Sequence, residues 1–197
     1  MPNTVISDYF SRLAQHIESA EYTDSDGKPV DREQAFEGFT GRLRTAASDA
    51  NKVLFCGNGG SAGICSHMAT DFFKNGGVKA LALNDSSALT CLANDYGYEF
   101  VFSKQIEMIA NQGDILVAIS SSGRSKNILN GLDAARAAGC YILTLSGFAP
   151  DNPLRGKGDL NIHVAAPDYG FVETAHLALI SAMLDIHMGW PNIKYPT

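Results

Sequence analysis

From Val53 to Asp71 the chain reads Val-Leu-Phe-Cys-Gly-Asn-Gly-Gly-Ser-Ala-Gly-Ile-Cys-Ser-His-Met-Ala-Thr-Asp, and few folds accommodate that order. The apolar run Val53–Cys56 predicts a buried strand. Gly57-Asn58-Gly59-Gly60 cannot extend it and predicts a tight turn. Ser61 then opens a helix on which His67 and Asp71, four residues apart, share a face. Strand, glycine turn and helix start in immediate succession make a unit of an open α/β sheet, where ligands sit beyond the carboxyl ends of the strands. Unpaired N–H groups and the positive end of the helix dipole favour an anion there. The stretch therefore predicts an anionic small molecule held by the turn, with His67 and Asp71 facing its far end.

The rest of the chain continues the alternation. Strands are predicted at 79–83, 114–119, 141–145 and 160–164, and helices at 87–94, 98–110, 125–138 and 171–188. Gly139 stands where a helix C-terminus needs it. Alternating β and α with short connections implies a parallel sheet covered on both faces. Ahead of it, residues 2–20 carry Val5, Tyr9, Phe10, Leu13 and Ile17 at helical spacing, 21–31 are polar and turn-rich, and 32–51 form a second helix. Both helices precede the first predicted strand. Residues 1–51 thus read as a helical extension for oligomerisation or for covering the sheet, and 52–190 as the α/β core of one domain.

Composition narrows the function. Apolar residues make up 45% of the chain and charged residues 18%, as in a folded globular protein. A net charge of −6 without a Lys/Arg run argues against nucleic acid and membrane surfaces as partners. No apolar run approaches the ~18 residues of a spanning helix, and no signal peptide is evident, so a cytoplasmic location is expected. Four scattered cysteines without CxxC spacing read as reduced and mostly buried.

Two further stretches carry chemistry. Ile119-Ser-Ser-Ser-Gly-Arg-Ser125 also follows a buried strand and opens a helix, so its hydroxyls and N–H groups can cradle a phosphate, or its serines can simply cap the helix. Neither loop ends in Gly-Lys-Ser/Thr or completes GxGxxG, so no nucleotide cofactor is expected. On the last helix Glu173 and His176 are three apart. With His67 and Asp71 they could bind a metal, share a proton transfer, or form a polar face at a subunit interface. Asp95, in Ala93-Asn-Asp-Tyr-Gly97, reads as a loop carboxylate that either holds a sugar hydroxyl or ends a helix.

Cys56-Gly-Asn-Gly-Gly-Ser61, His67, Ala93-Asn-Asp-Tyr-Gly97, Ile119–Ser125 and Tyr169-Gly170, in that order, resemble the sugar isomerase (SIS) domain family, and within it the phosphoheptose isomerases. The resemblance implies a three-layer α/β sandwich with a five-stranded parallel sheet of flavodoxin-like type. It implies a homotetramer with sites at subunit interfaces. It also implies sugar-phosphate binding by Asn58, Gly59, Ser61, Asp95, Ser120, Ser121, Ser122 and Ser125. Such isomerases interconvert sedoheptulose 7-phosphate and heptose 7-phosphate by proton transfer between C1 and C2 through an enediolate. Their zinc is held by a His, a carboxylate four residues on, and a Gln and a His on the last helix.

The chain departs from that pattern at the zinc. His67 is present, Asp71 replaces Glu, His176 occupies the Gln position, and Leu184 stands where the final His belongs. Glu173 replaces an Asp, and Asn75 stands where a basic residue is expected. The resemblance therefore implies zinc on His67, Asp71 and His176 with one open position, Asp71 or Glu173 as base, and His176 as acid or ligand. The alternatives are a non-catalytic SIS module that binds a sugar phosphate or a protein partner as a regulator, and an isomerase for another sugar phosphate.

Overall fold

A computed structural model describes residues 4–193. Helix α1 (Val5–Glu18) starts at Thr4, whose side chain accepts a hydrogen bond from the Ser7 amide. Strand β1 (Glu21–Asp24) follows, then α2 (Arg32–Ser48), β2 (Lys52–Gly57), α3 (Gly60–Lys74), β3 (Lys79–Ala82) and α4 (Ser86–Tyr96). A 3-10 turn, Tyr98–Phe100, leads into α5 (Val101–Ile109). Then come β4 (Ile115–Ser120), α6 (Lys126–Ala137), β5 (Tyr141–Gly147), β6 (Leu160–Val164) and α7 (Tyr169–His187).

The sheet has six strands in the order β1-β6-β5-β4-β2-β3, not the expected five, and it is not wholly parallel. β1 runs antiparallel to β6, with Glu21 opposite His163 and Asp24 opposite Leu160; the other neighbours are parallel. One N-terminal helix, not two, precedes the first strand, and residues 21–24 of the expected polar connection are that strand. Its one buried apolar residue is Tyr22, so no alternation announces it. Backbone chemistry holds it instead: the Asn161 amide donates to the Thr23 and Asp24 carbonyls at 3.3 and 3.0 Å.

The central strands are apolar because both their faces are covered. Along β4, Ile115, Val117 and Ile119 join the core shared with α2, α3 and α7, while Leu116 and Ala118 join the core shared with α5 and α6. Phe55 of β2 meets Phe72 of α3 edge to face at 5.2 Å. Three layers result. The chain leaves β2 for β3 on one side and returns through β4 to β5 and β6 on the other. The order therefore reverses between β2 and β4, and a crevice opens at their carboxyl ends. No helix among the described residues is long and apolar enough to cross a membrane.

Candidate functional site

Three segments converge on that crevice: the β2–α3 turn, the β4–α6 loop and the start of α7. In the turn, a Cβ on Gly57 would lie 2.9 Å from the Ser61 carbonyl, and Gly59 has φ +56°, so both positions need glycine. The helices that start here differ from three of the four elsewhere, α5 alone among those being likewise uncapped. Helices α1, α2 and α4 are capped by Thr4, Asp31 and Asp85 side chains. Helices α3, α6 and α7 have no side-chain cap bond at Gly59, Ser125 or Asp168. Apart from the Ile128 amide of α6, which donates to Asn127 Oδ1, their first N–H groups and dipoles are left for something else.

The cleft holds about 310 Å³ and is lined by Asn58, Gly59, Gly60, Ser61, Ile119, Ser120, Ser121, Ser122, Ser125, Tyr169 and Glu173. The Ser121 hydroxyl is buried without a partner, an arrangement that leaves a ligand to satisfy it. No Lys or Arg lines the cleft, so an anion here would be held by hydroxyls, amides and helix ends. The carboxylate present, Glu173, lies against the first turn of α3: a Cβ on Gly60 would fall 2.6 Å from its Cδ. A carboxylate there gains from the positive end of α3. A second anion is better placed at the serine loop, on the other wall.

Sequence reasoning missed three residues that shape this cleft. Asn152 is buried and donates through Nδ2 to the carbonyls of Ser121 and Gly147, at 2.8 and 2.7 Å. Asn127, 3% exposed, exchanges hydrogen bonds with Asn58. Tyr98 donates its hydroxyl to Asn58 Oδ1 at 3.1 Å. Asparagine after a serine-rich turn reads as an ordinary cap, and only tertiary structure shows otherwise.

The structure brings Asn58, Gly59, Ser61, Ser120, Ser121, Ser122, Ser125 and Glu173 together, and leaves Asp95, His67, Asp71 and His176 outside the lining. Asp95 is exposed and lies in the last turn of α4, not in a loop. His67 and Asp71 pair at 3.4 Å on the open face of α3, and Asn75 donates to Asp71 at 3.3 Å. His176 faces the other way. It is fully buried, its Nε2 sits 2.9 Å from the Ser146 carbonyl of β5, and its Nδ1 has no partner. Burial pushes its imidazole down to about 4, helped by His163. Leu184 is buried too, against Gly76.

A zinc ion on His67, Asp71 and His176 does not fit this arrangement within one chain. The His176 ring is turned into the sheet with Nε2 committed to a carbonyl. Among the described residues no three His, Cys, Asp or Glu side chains converge as ligands.

Comparison with known proteins adds a second line. The SIS-domain model matches residues 31–147. A phosphoheptose isomerase of Edwardsiella ictaluri is 37% identical over 143 residues, 68% of this chain and 72% of that protein. The solved phosphoheptose isomerase of Neisseria gonorrhoeae matches at TM-score 0.77 and 29% identity, over 92% of this chain and 97% of that one. The one from Francisella tularensis matches at TM-score 0.78 and 25% identity, over 92% and 95%.

Proposed function

The chain belongs to the SIS-domain family, and we propose that it is a sugar-phosphate aldose–ketose isomerase of the phosphoheptose isomerase type, acting on sedoheptulose 7-phosphate. The observation that carries this reading is the cleft itself: three uncapped helix starts and a run of serine hydroxyls facing one carboxylate.

The residues divide the work by charge. The serine loop, with Ser120, Ser121, Ser122 and Ser125, takes the phosphate, away from the Glu173 carboxylate. The sugar then runs across the cleft toward Gly59, Gly60 and Ser61. Glu173 is the base that moves the proton between C1 and C2. The first N–H groups of α3 and the Ser61 hydroxyl stabilise the enediolate oxygen as charge develops on it. No step is assigned to zinc, because the ligand set does not assemble in one chain. His67 and Asp71 lie on the open face of α3, where a neighbouring subunit could bring them to a site.

A homotetramer is part of the proposal. Val5 and Phe10 of α1 are 88% and 63% exposed, which a subunit contact would cover. An apolar groove of about 800 Å³ lined by Ile17, Phe36, Leu179, Ile186 and Trp190 lies beside it. Residues 1–51 would carry much of this interface, although β1 also ties them into the sheet.

The test is proton exchange. Incubated with sedoheptulose 7-phosphate in deuterated water, the protein should place deuterium at C1 or C2, and Glu173→Gln should slow exchange ~10²–10⁴-fold. Tight binding without exchange would establish the second reading, a sugar-phosphate-binding regulator. Leu184, buried where the family has a histidine, is the observation that favours it.

A further inference from the structure

We propose that Asn127 is a positioning residue that acts through Asn58 to hold the two walls of the cleft, and with Tyr98 a third segment, at a fixed separation; the proposal rests on the sugar-phosphate reading of that cleft. Asn127 is in the first turn of α6, directly behind the serine loop. Asn58 is in the β2–α3 turn, 69 positions away in the chain. Their side-chain amides face each other and exchange both bonds. Asn58 Nδ2 donates to Asn127 Oδ1 at 3.0 Å, and Asn127 Nδ2 donates to Asn58 Oδ1 at 2.9 Å.

A count of donors and acceptors defines what each amide can still do. Asn58 Oδ1 takes a second bond from the Tyr98 hydroxyl, so both its lone pairs are engaged. Asn127 Oδ1 takes a second bond from the Ile128 amide at 3.0 Å, so its acceptor is full too. One N–H of Asn58 is left for a ligand. Asn58 is therefore a hub first and a sugar contact second. Through it, the turn that precedes α3, the loop that precedes α6 and the 3-10 turn after α4 are fastened at one point.

A helix cap does not explain this pattern. A cap needs one acceptor close in sequence, whereas Asn127 also donates to, and accepts from, another loop. Its burial makes the bonds obligatory, since an unmade buried amide bond is costly. Drawing the walls apart would break both bonds at once. Ligand that touches both walls depends on their spacing, because misplacement by about 1 Å is felt in the rate.

The experiment compares wild type with N127A, Y98F and I128V. The Ile128 side chain is buried and takes no part in the pair, and I128V keeps the backbone amide that donates to Asn127, so it loosens the start of α6 without touching Asn58. Amide hydrogen exchange and calorimetric affinity for sedoheptulose 7-phosphate are read on each. Expected for N127A are faster exchange across 57–62 and 96–100 and binding at least ~10-fold weaker. I128V should show neither. Y98F, at an exposed residue outside the core, should speed exchange at 96–100 and weaken binding a few-fold. Extra exchange in N127A confined to 126–131, or equal weakening by N127A and I128V, overturns the proposal. Should N127A not fold, unchanged exchange and affinity in Y98F overturn it. If wild type binds no sugar phosphate, the functional reading falls, and the brace stands or falls on the exchange pattern alone.

Discussion

Two buried histidines make acid stability a sharp test of the core behind the cleft. His163 is 2% exposed and its Nδ1 lies 2.9 Å from the Ser146 hydroxyl. His176 lies on the other side of the same residue, against the Ser146 carbonyl. Burial holds both imidazoles down to about 4, with Arg155 adding to the effect on His163. In the unfolded chain each returns to about 6.5. The folded state thus binds fewer protons between those values, so this stability is complete above pH 6.5 and drains away as pH falls toward 4. At pH 4.5 the loss relative to pH 7 is on the order of 2 kcal/mol per histidine. His176→Gln keeps a side-chain N–H for the Ser146 carbonyl and removes one titration. Urea unfolding followed by circular dichroism at pH 7 and pH 4.5 should show the variant losing about 2 kcal/mol less than wild type across that interval, since carboxylates titrate alike in both. Parallel losses in the two proteins would refute the assignment of neutral, buried rings. A wild-type protein that keeps its full stability at pH 4.5 would refute it as well.

Other consequences are as direct. Gly60→Ala would drive a methyl group into the Glu173 carboxylate; that end of the side chain can swing away, so stability should hold within about 1 kcal/mol while turnover falls at least ~10-fold, read by unfolding and by proton exchange. Ser121→Ala removes a buried hydroxyl with no partner; the ligand-free protein should gain about 1 kcal/mol while affinity for a sugar phosphate drops, measured by thermal shift with and without ligand. Phe10→Asp places a charge on the exposed face of α1 and should reduce the assembly below a tetramer in sedimentation, with the fold unchanged by circular dichroism.

The parallel core was legible because a strand buried on both faces must be a continuous apolar run, as Ile115–Ser120 is. The turns were legible because Gly57 and Gly59 are needed by backbone geometry alone. β1 was not legible: a single buried apolar residue and a partner strand far along the chain leave no local trace. Asp95 was misplaced because α4 runs to Tyr96, two residues beyond the expected end. His176 is the instructive case. Three-residue spacing puts it near Glu173 on the helix surface, but spacing cannot tell which neighbour each side chain meets. A closer signal was present, since His176 falls on the stripe of Val172, Leu179, Ile180 and Met183, all buried. Asn58, expected to touch substrate, spends most of its amide on Asn127, which no local pattern reveals.

The antiparallel strand at the sheet's edge also sets the timetable of synthesis. Among the described strands β1 is made first, and its neighbour in the sheet, β6, last. The bond from Asn161 to the Thr23 carbonyl closes across 138 positions. While the nascent chain grows from β2 to β5, Tyr22 has no strand to lie on. The leading segment must wait: the edge of β5 stays open until β6 pairs with it, and only then can β1 pair with β6. A truncation that stops before Leu160 would leave that edge bare, and ribosome-bound chains should become protease-resistant in 21–24 only after residue 164 has cleared the exit tunnel.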